Sequence, residues 1–160
     1  MMSVEHKGRY SYDPLVKQIT DFRMLQNHVL NSELGFKDAI VECYAVLGEQ
    51  LGFEVKNPFE LSLDGAIIGS LDLVWLDGDE LLSAFEVEFG SREEMLAALT
   101  KLLLSNAELA VLFSSSRVRT FTFGEIRNIA KAMVAAATVN ALLLVDVSRE
   151  CYEYIDFTKV

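Results

Sequence analysis

Gly69-Ser70-Leu71-Asp72-Leu73-Val74-Trp75-Leu76 and, beyond the turn residues Asp77-Gly78-Asp79, Ala84-Phe85-Glu86-Val87-Glu88-Phe89 decide how this chain is read. Successive side chains of a strand point to opposite faces. Leu71, Leu73 and Trp75 then share one face of the first strand, and Phe85, Val87 and Phe89 one face of the second. The other face carries Asp72 on one strand and Glu86 and Glu88 on the next. A five-residue connection over 77–81 pairs Leu76 with Leu82, Val74 with Ala84 and Asp72 with Glu86, whereas a two-residue turn displaces that pairing. Directly opposed Cβ atoms lie about 4.5–5.5 Å apart, and Glu88 falls roughly 7 Å further along its strand. Carboxylates this close raise one another's pKa unless a cation neutralises them. Hard oxygen donors in this pattern suit Mg²⁺ or Mn²⁺ and not a metal that prefers thiolate. A solvated sheet face also shows alternating acids. Here, however, Val74, Leu76, Leu82 and Ala84 lie on the same face, so it is expected to be covered and acidic only toward one end.

Working outward, Asp13-Pro14 reads as a helix start, a capping aspartate with proline in the first turn. Leu15, Ile19, Phe22, Leu25 and Val29 then recur at three to four, which predicts one amphipathic accessory helix over 13–30. A second helix is predicted over 35–51, ended by Gly52. The period then changes to strands over 53–61, 69–76 and 81–89, with Asp64-Gly65 a turn. Capping boxes Ser91-x-x-Glu94 and Thr122-x-x-Glu125 open helices expected to run to about 105 and 138. Strands over 109–113 and 141–147 are apolar throughout, and 151–157 alternates as an edge strand does. The order ααβββαβαβ(β) predicts an α/β fold, a central mixed sheet flanked by helices. Nothing divides the chain, so one domain is expected, with 1–12 loosely ordered and 35–147 as core.

Composition bounds the possibilities. The chain has 160 residues, 14 Lys+Arg against 24 Asp+Glu, a formal charge of −10 and 51% apolar residues. That excludes intrinsic disorder and opposes broad attraction to nucleic acid. Two cysteines, Cys43 and Cys151, exclude a disulfide framework, and two histidines, His6 and His28, leave little for a histidine-rich metal centre. All four are read as structural. No signal peptide and no membrane-spanning run is visible, which makes a cytoplasmic protein with reduced thiols the expectation.

An aspartate at the head of one strand, a hairpin, and Glu-x-Lys or Glu-x-Glu on the next resembles the PD-(D/E)xK nuclease superfamily of restriction-endonuclease-like enzymes. The motif reads Leu71-Asp72 … Glu86-Val87-Glu88, and the resemblance in element order covers about 35–147. It implies a restriction-endonuclease-like core and Mg²⁺- or Mn²⁺-dependent hydrolysis of phosphodiesters in DNA. It implies catalytic roles for Asp72, Glu86, Glu88 and Lys101, and a metal held by Asp72, Glu86, Glu88 and the helical Glu42. Two-fold assembly is implied as well. Some members place the extra glutamate on the first strand, where Glu60 stands. The departure is Glu88, where most relatives carry lysine; Lys101 on the following helix is the residue that could compensate. A plain solvated lysine and surface glutamates account equally for Lys101, Glu42 and Glu60.

If nucleic acid is the partner, its phosphates need a local basic patch. Arg117, Arg119, Arg127 and Lys131 form the best cluster, with Arg92 a further candidate, although Glu125 is near enough to pair with an arginine. The missing lysine and the net charge equally suit a different class, a catalytically inactive nuclease-like protein serving as a binding or assembly module.

Overall fold

The structure, a computed structural model, describes residues 11–118 and 121–159. The expected looseness of 1–10 and the candidate Arg119 lie outside the described residues. The first helical stretch is two helices, α1 (Asp13–Ile19) and α2 (Phe22–Asn31), and not the single helix that the periodicity predicts. Side-chain bonds to the backbone divide it. Thr20 Oγ1 donates to Val16 O at 2.7 Å, and Asp21 accepts from Met24 N at 3.1 Å as the cap of α2. Tyr44 OH donates to Ile19 O at 2.6 Å, which satisfies a carbonyl at the end of α1. Tyr12, expected in a loose terminus, is instead buried, and its hydroxyl donates to Glu108 Oε1 and accepts from Asn140 Nδ2.

Next come α3 (Phe36–Gln50), β1 (Glu54–Lys56), β2 (Phe59–Leu63), β3 (Ala66–Leu71), β4 (Leu73–Asp77) and β5 (Glu80–Val87). They are followed by α4 (Arg92–Leu103), β6 (Leu109–Ser114), α5 (Phe123–Ala132), β7 (Ala141–Asp146) and β8 (Cys151–Asp156). Both predicted capping boxes form, on Ser91 and Thr122. Six strands make one mixed sheet in the order β1-β4-β5-β6-β7-β8, with β5, β6 and β7 parallel. β2 and β3 form a separate two-stranded ribbon. The two long strands expected over 53–61 and 69–76 are thus each divided between ribbon and sheet, one near Pro58 and one at Asp72. Proline cannot donate to a ladder, which suits it to such a break. α5 stops at Ala132, short of the expected 138, and the chain continues in turns to Thr138, whose N–H bonds Leu103 O at 2.8 Å.

The β4–β5 hairpin combines both registers considered above. Asp77 faces Glu80 across a two-residue turn, yet Val74 faces Ala84, because a bulge between Trp75 and Leu76 absorbs one residue of β5. Leu76 therefore opposes Leu81, and Leu82 joins the Trp75 side of the sheet instead of the acidic face. The bend at Asp72 likewise sends Leu71 to the opposite core from Leu73 and Trp75.

Helices cover both faces. Leu73, Trp75, Phe85, Val111, Phe113 and Leu143 pack beneath α1–α3. Val74, Ala84, Leu112 and Leu144 pack against Met95 and Leu99 of α4 and Ile126 and Ala130 of α5. Among the described residues no helix is long and apolar enough to cross a membrane. The aromatic centre is Trp75, whose ring centroid lies 4.7 Å from that of Phe85 and whose Nε1 donates to Tyr44 O at 2.9 Å. Gly48 makes room for it, since a Cβ there would stand 2.3 Å from Trp75 Nε1. Gly48→Ala should therefore destabilise the chain by about 1–3 kcal/mol through overpacking, although alanine in a helix interior is ordinarily favoured by about 1 kcal/mol. Urea unfolding measures this; an unchanged or raised midpoint contradicts the packing described.

Candidate active site

Asp72 occupies the bend where the chain leaves the ribbon and enters the sheet. It lies just beyond the last ladder pair, Leu73–Phe85, and its carboxyl shares a hydrogen bond with that of Glu86. Its Oδ2 accepts Val87 N–H at 2.9 Å, taking the place of a strand carbonyl in the ladder. Its Oδ1 lies 3.5 Å from Lys37 Nζ on the first turn of α3. The sequence alone gives no signal for that lysine, because no helix or strand spacing links it to Asp72.

Glu86 is 3% exposed and lies on the α4 side of β5. Lys101 Nζ of α4 is 2.5 Å from Glu86 Oε1 and donates to Ser70 O at 2.8 Å. The lysine stem crosses β3 at Gly69, where a Cβ would meet Lys101 Cδ at 3.1 Å. Burial pushes the Glu86 carboxyl up to about 8, its hydrogen bond with Asp72 adds to the rise, and Lys101 opposes it. The sequence-predicted pair Asp72–Glu86 and the compensating Lys101 are thus brought together.

The other expected members are placed differently. Glu88 is half-buried, its backbone N–H donating to Phe113 O and its Oε2 accepting from Gly90 N at 2.9 Å. Glu42 is engaged by His28, with Nε2 2.8 Å from Glu42 Oε1. It still lines, with Lys37, Asp38, Pro58 and Asp72, a cavity of about 350 Å³. Glu60 is exposed on the ribbon, opposite Ser70 and outside the six-stranded sheet. Among the described residues no group of three or more histidine, cysteine, aspartate or glutamate side chains is arranged to hold a metal ion. The four-carboxylate set Glu42, Asp72, Glu86, Glu88 is therefore not assembled here, because Glu42 and Glu88 are bonded to other partners.

The basic candidates are largely committed. Arg127 Nε bonds Glu153 Oε1 of β8 at 2.5 Å. Arg92 lies 3.9 Å over the Phe121 ring, with a guanidinium nitrogen 3.9 Å from Glu125 Oε2. Arg117 and Lys131 are exposed. Ser114, Ser115 and Ser116 line a second polar cavity, at the ends of β6 and β7, around Asp146. Burial would raise the Asp146 carboxyl, but donors from Ser148, Arg149 and Ser116 outweigh it and hold the group below the ordinary range.

No known protein family and no characterised protein matches the chain.

Glu86 gives the fold a pH dependence. Burial raises its carboxyl from the ordinary 4.5, expected in the unfolded chain, to about 8 in the fold. Between those values the unfolded chain releases a proton that the folded chain keeps, so stability falls as pH rises and the loss is complete above about 8. Relative to Glu86→Gln, which does not ionise, the native chain should lose on the order of 2–4 kcal/mol between about pH 5 and pH 8.5. Urea unfolding across that range measures it; a difference independent of pH contradicts the assigned burial.

Proposed function

We propose that this chain is a metal-dependent phosphodiesterase of the PD-(D/E)xK type, built on a restriction-endonuclease-like core and acting on DNA. The observation that carries this reading is the convergence of Asp72, Glu86 and Lys101 at the ribbon-to-sheet crossing. In that superfamily the lysine commonly stands two residues after the second acid. Here Glu88 holds that place, and an ammonium reaches Glu86 from α4 instead.

Asp72 and Glu86 are the two adjacent hard carboxylates that would hold one Mg²⁺ or Mn²⁺, and Glu42 lines the same cavity as Asp72. Such an ion, when bound, would make water a nucleophile at neutral pH and stabilise charge on a phosphoryl oxygen. The chain's own residues supply the rest. Val87 N–H fixes the Asp72 carboxylate before any ligand arrives. Burial and the neighbouring Asp72 favour the protonated Glu86 carboxyl, so a cation bound there would displace that proton. Lys101, fixed at Ser70 O, keeps a positive charge beside Glu86 where it can orient an attacking water. Arg117 and Lys131 are the exposed cations left to meet phosphate. The outer strand β8 offers an edge for two-fold assembly.

A second reading, a non-catalytic binding or assembly module, is favoured by one observation: Arg92 and Arg127 are committed to Glu125 and Glu153. Supercoiled, linear and branched DNA incubated with Mg²⁺ or Mn²⁺ separates the two. Cleavage is expected, falling by about 100-fold or more in Asp72→Asn, since the lost charge stabilisation is worth several kcal/mol. No cleavage, together with a melting temperature unmoved by millimolar Mn²⁺, overturns the enzymatic reading and leaves the module.

A further inference from the structure

The cavity around Asp146 stands on the same edge of the sheet as the Asp72–Glu86 crossing. β5, β6 and β7 run parallel, so their carboxyl ends lie side by side, and ligands of parallel sheets gather outside such ends. Glu86 is level with Leu112 and Leu144, and Asp146, two residues further along β7, shares their face of the sheet. Two strand spacings, about 10 Å, separate the strands of the two acids. The cavity measures about 590 Å³, and Phe121 and Phe123 line it together with Ser114, Ser115, Asp146 and Cys151. Asp146 is 5% exposed, and its Oδ1 accepts from Ser116 N, Ser148 N, Ser148 Oγ and Arg149 N at 2.8 to 3.3 Å. None of these four bonds uses Oδ2. Against the burial that would raise it, the donors keep this carboxyl ionised. The other charged residues of the lining, Glu125 and Arg149, are exposed, and Glu125 is bonded to Thr122 N. An anion entering the cavity therefore meets a buried carboxylate, which disfavours phosphate. A flat, uncharged ring with N–H donors suits both the acid and the aromatic wall.

We infer that this cavity receives one unpaired base of the nucleic-acid substrate, a ring bearing an exocyclic amino group, with Asp146 accepting from that amino group and Phe121 and Phe123 packing on the ring. The inference rests on the nuclease reading above and deepens it by naming the substrate class. The strand crosses the carboxyl ends of β5 to β7 with one base out of its stack, read on its hydrogen-bonding edge. Asp146 then determines specificity and takes no part in the chemistry at the crossing.

Fluorescence anisotropy with labelled oligodeoxycytidine, oligodeoxyadenosine and oligothymidine of equal length tests this, at low salt and with a chelator present so that no metal or cleavage enters the result. The native chain should bind the cytosine and adenine strands about tenfold more tightly than the thymine strand, the scale of one hydrogen bond to a charged acceptor. Asp146→Asn keeps an acceptor for the loop but offers the ligand a donor, so the preference should vanish or turn toward thymine. Cys151→Trp fills the cavity from β8, away from Asp72 and Glu86, and should weaken binding of the cytosine and adenine strands; it carries the test should Asp146→Asn fail to fold. Equal native affinities for the three strands, or a preference that survives the substitutions, overturns the base pocket. Cleavage of DNA in Mg²⁺ or Mn²⁺ alongside equal affinities leaves the nuclease reading standing, whereas neither binding nor cleavage overturns both.

Discussion

The side-chain hydrogen bond from Val87 N–H to Asp72 Oδ2 fixes the point where ribbon and sheet meet. At that point the chain passes from the two-stranded ribbon into the six-stranded sheet, and the β4–β5 ladder stops at Leu73–Phe85. An N–H left unpaired at the buried end of β5 would cost about 1–3 kcal/mol. The aspartate supplies the missing acceptor and lets the backbone turn away. The carboxylate that permits the crossing is therefore held beside Glu86 by strand register, and Gly69, one turn of pleat earlier, gives Lys101 its way in. Fold continuity and the acidic site share one residue.

Electrostatics then separates this site from the rest of a chain whose formal charge is −10. Each acid of the pair has its own lysine, Lys37 beside Asp72 and Lys101 beside Glu86, so the crossing is not part of the acidic surface. Glu86 is buried at a free-energy cost that Lys101 offsets only in part, which is why its proton is held so far above the usual carboxylate range. Elsewhere, arginines expected to be open for phosphate are paired with glutamates: Arg127 ties α5 to β8, and Arg92 ties α4 to the start of α5. Those pairs link α4 to α5 and α5 to β8, and they take two of the candidate arginines away from a polyanion.

The strands and both capping boxes were legible because their signals are local: period-two alternation, and Ser or Thr three residues before Glu. The Val74–Ala84 pairing was legible in the same way, but only because a bulge at Trp75–Leu76 restores a register that the two-residue turn would have shifted; the ladder then ends at Leu73–Phe85, and Asp72 meets Glu86 through its side chain. What escaped was set by contacts distant in sequence. The continuous apolar period of 13–30 hides the Asp21 cap, which competes with helix continuation through a side-chain bond that periodicity does not encode. The break at Asp72, and with it the move of Leu71 to the other core, depends on Val87 offering an N–H. Glu42 was placed on the correct helix, yet His28 engages it; Lys37 on the same helix is the residue that reaches Asp72.

The central proposal is that the Asp72–Glu86–Lys101 crossing is the reactive centre of a metal-dependent phosphodiesterase. A crystal of the native chain soaked in Mn²⁺ and measured at the manganese absorption edge addresses it in one experiment. The proposal predicts an anomalous peak beside the Asp72 and Glu86 carboxylates. A peak confined to other carboxylates, or none, would contradict it.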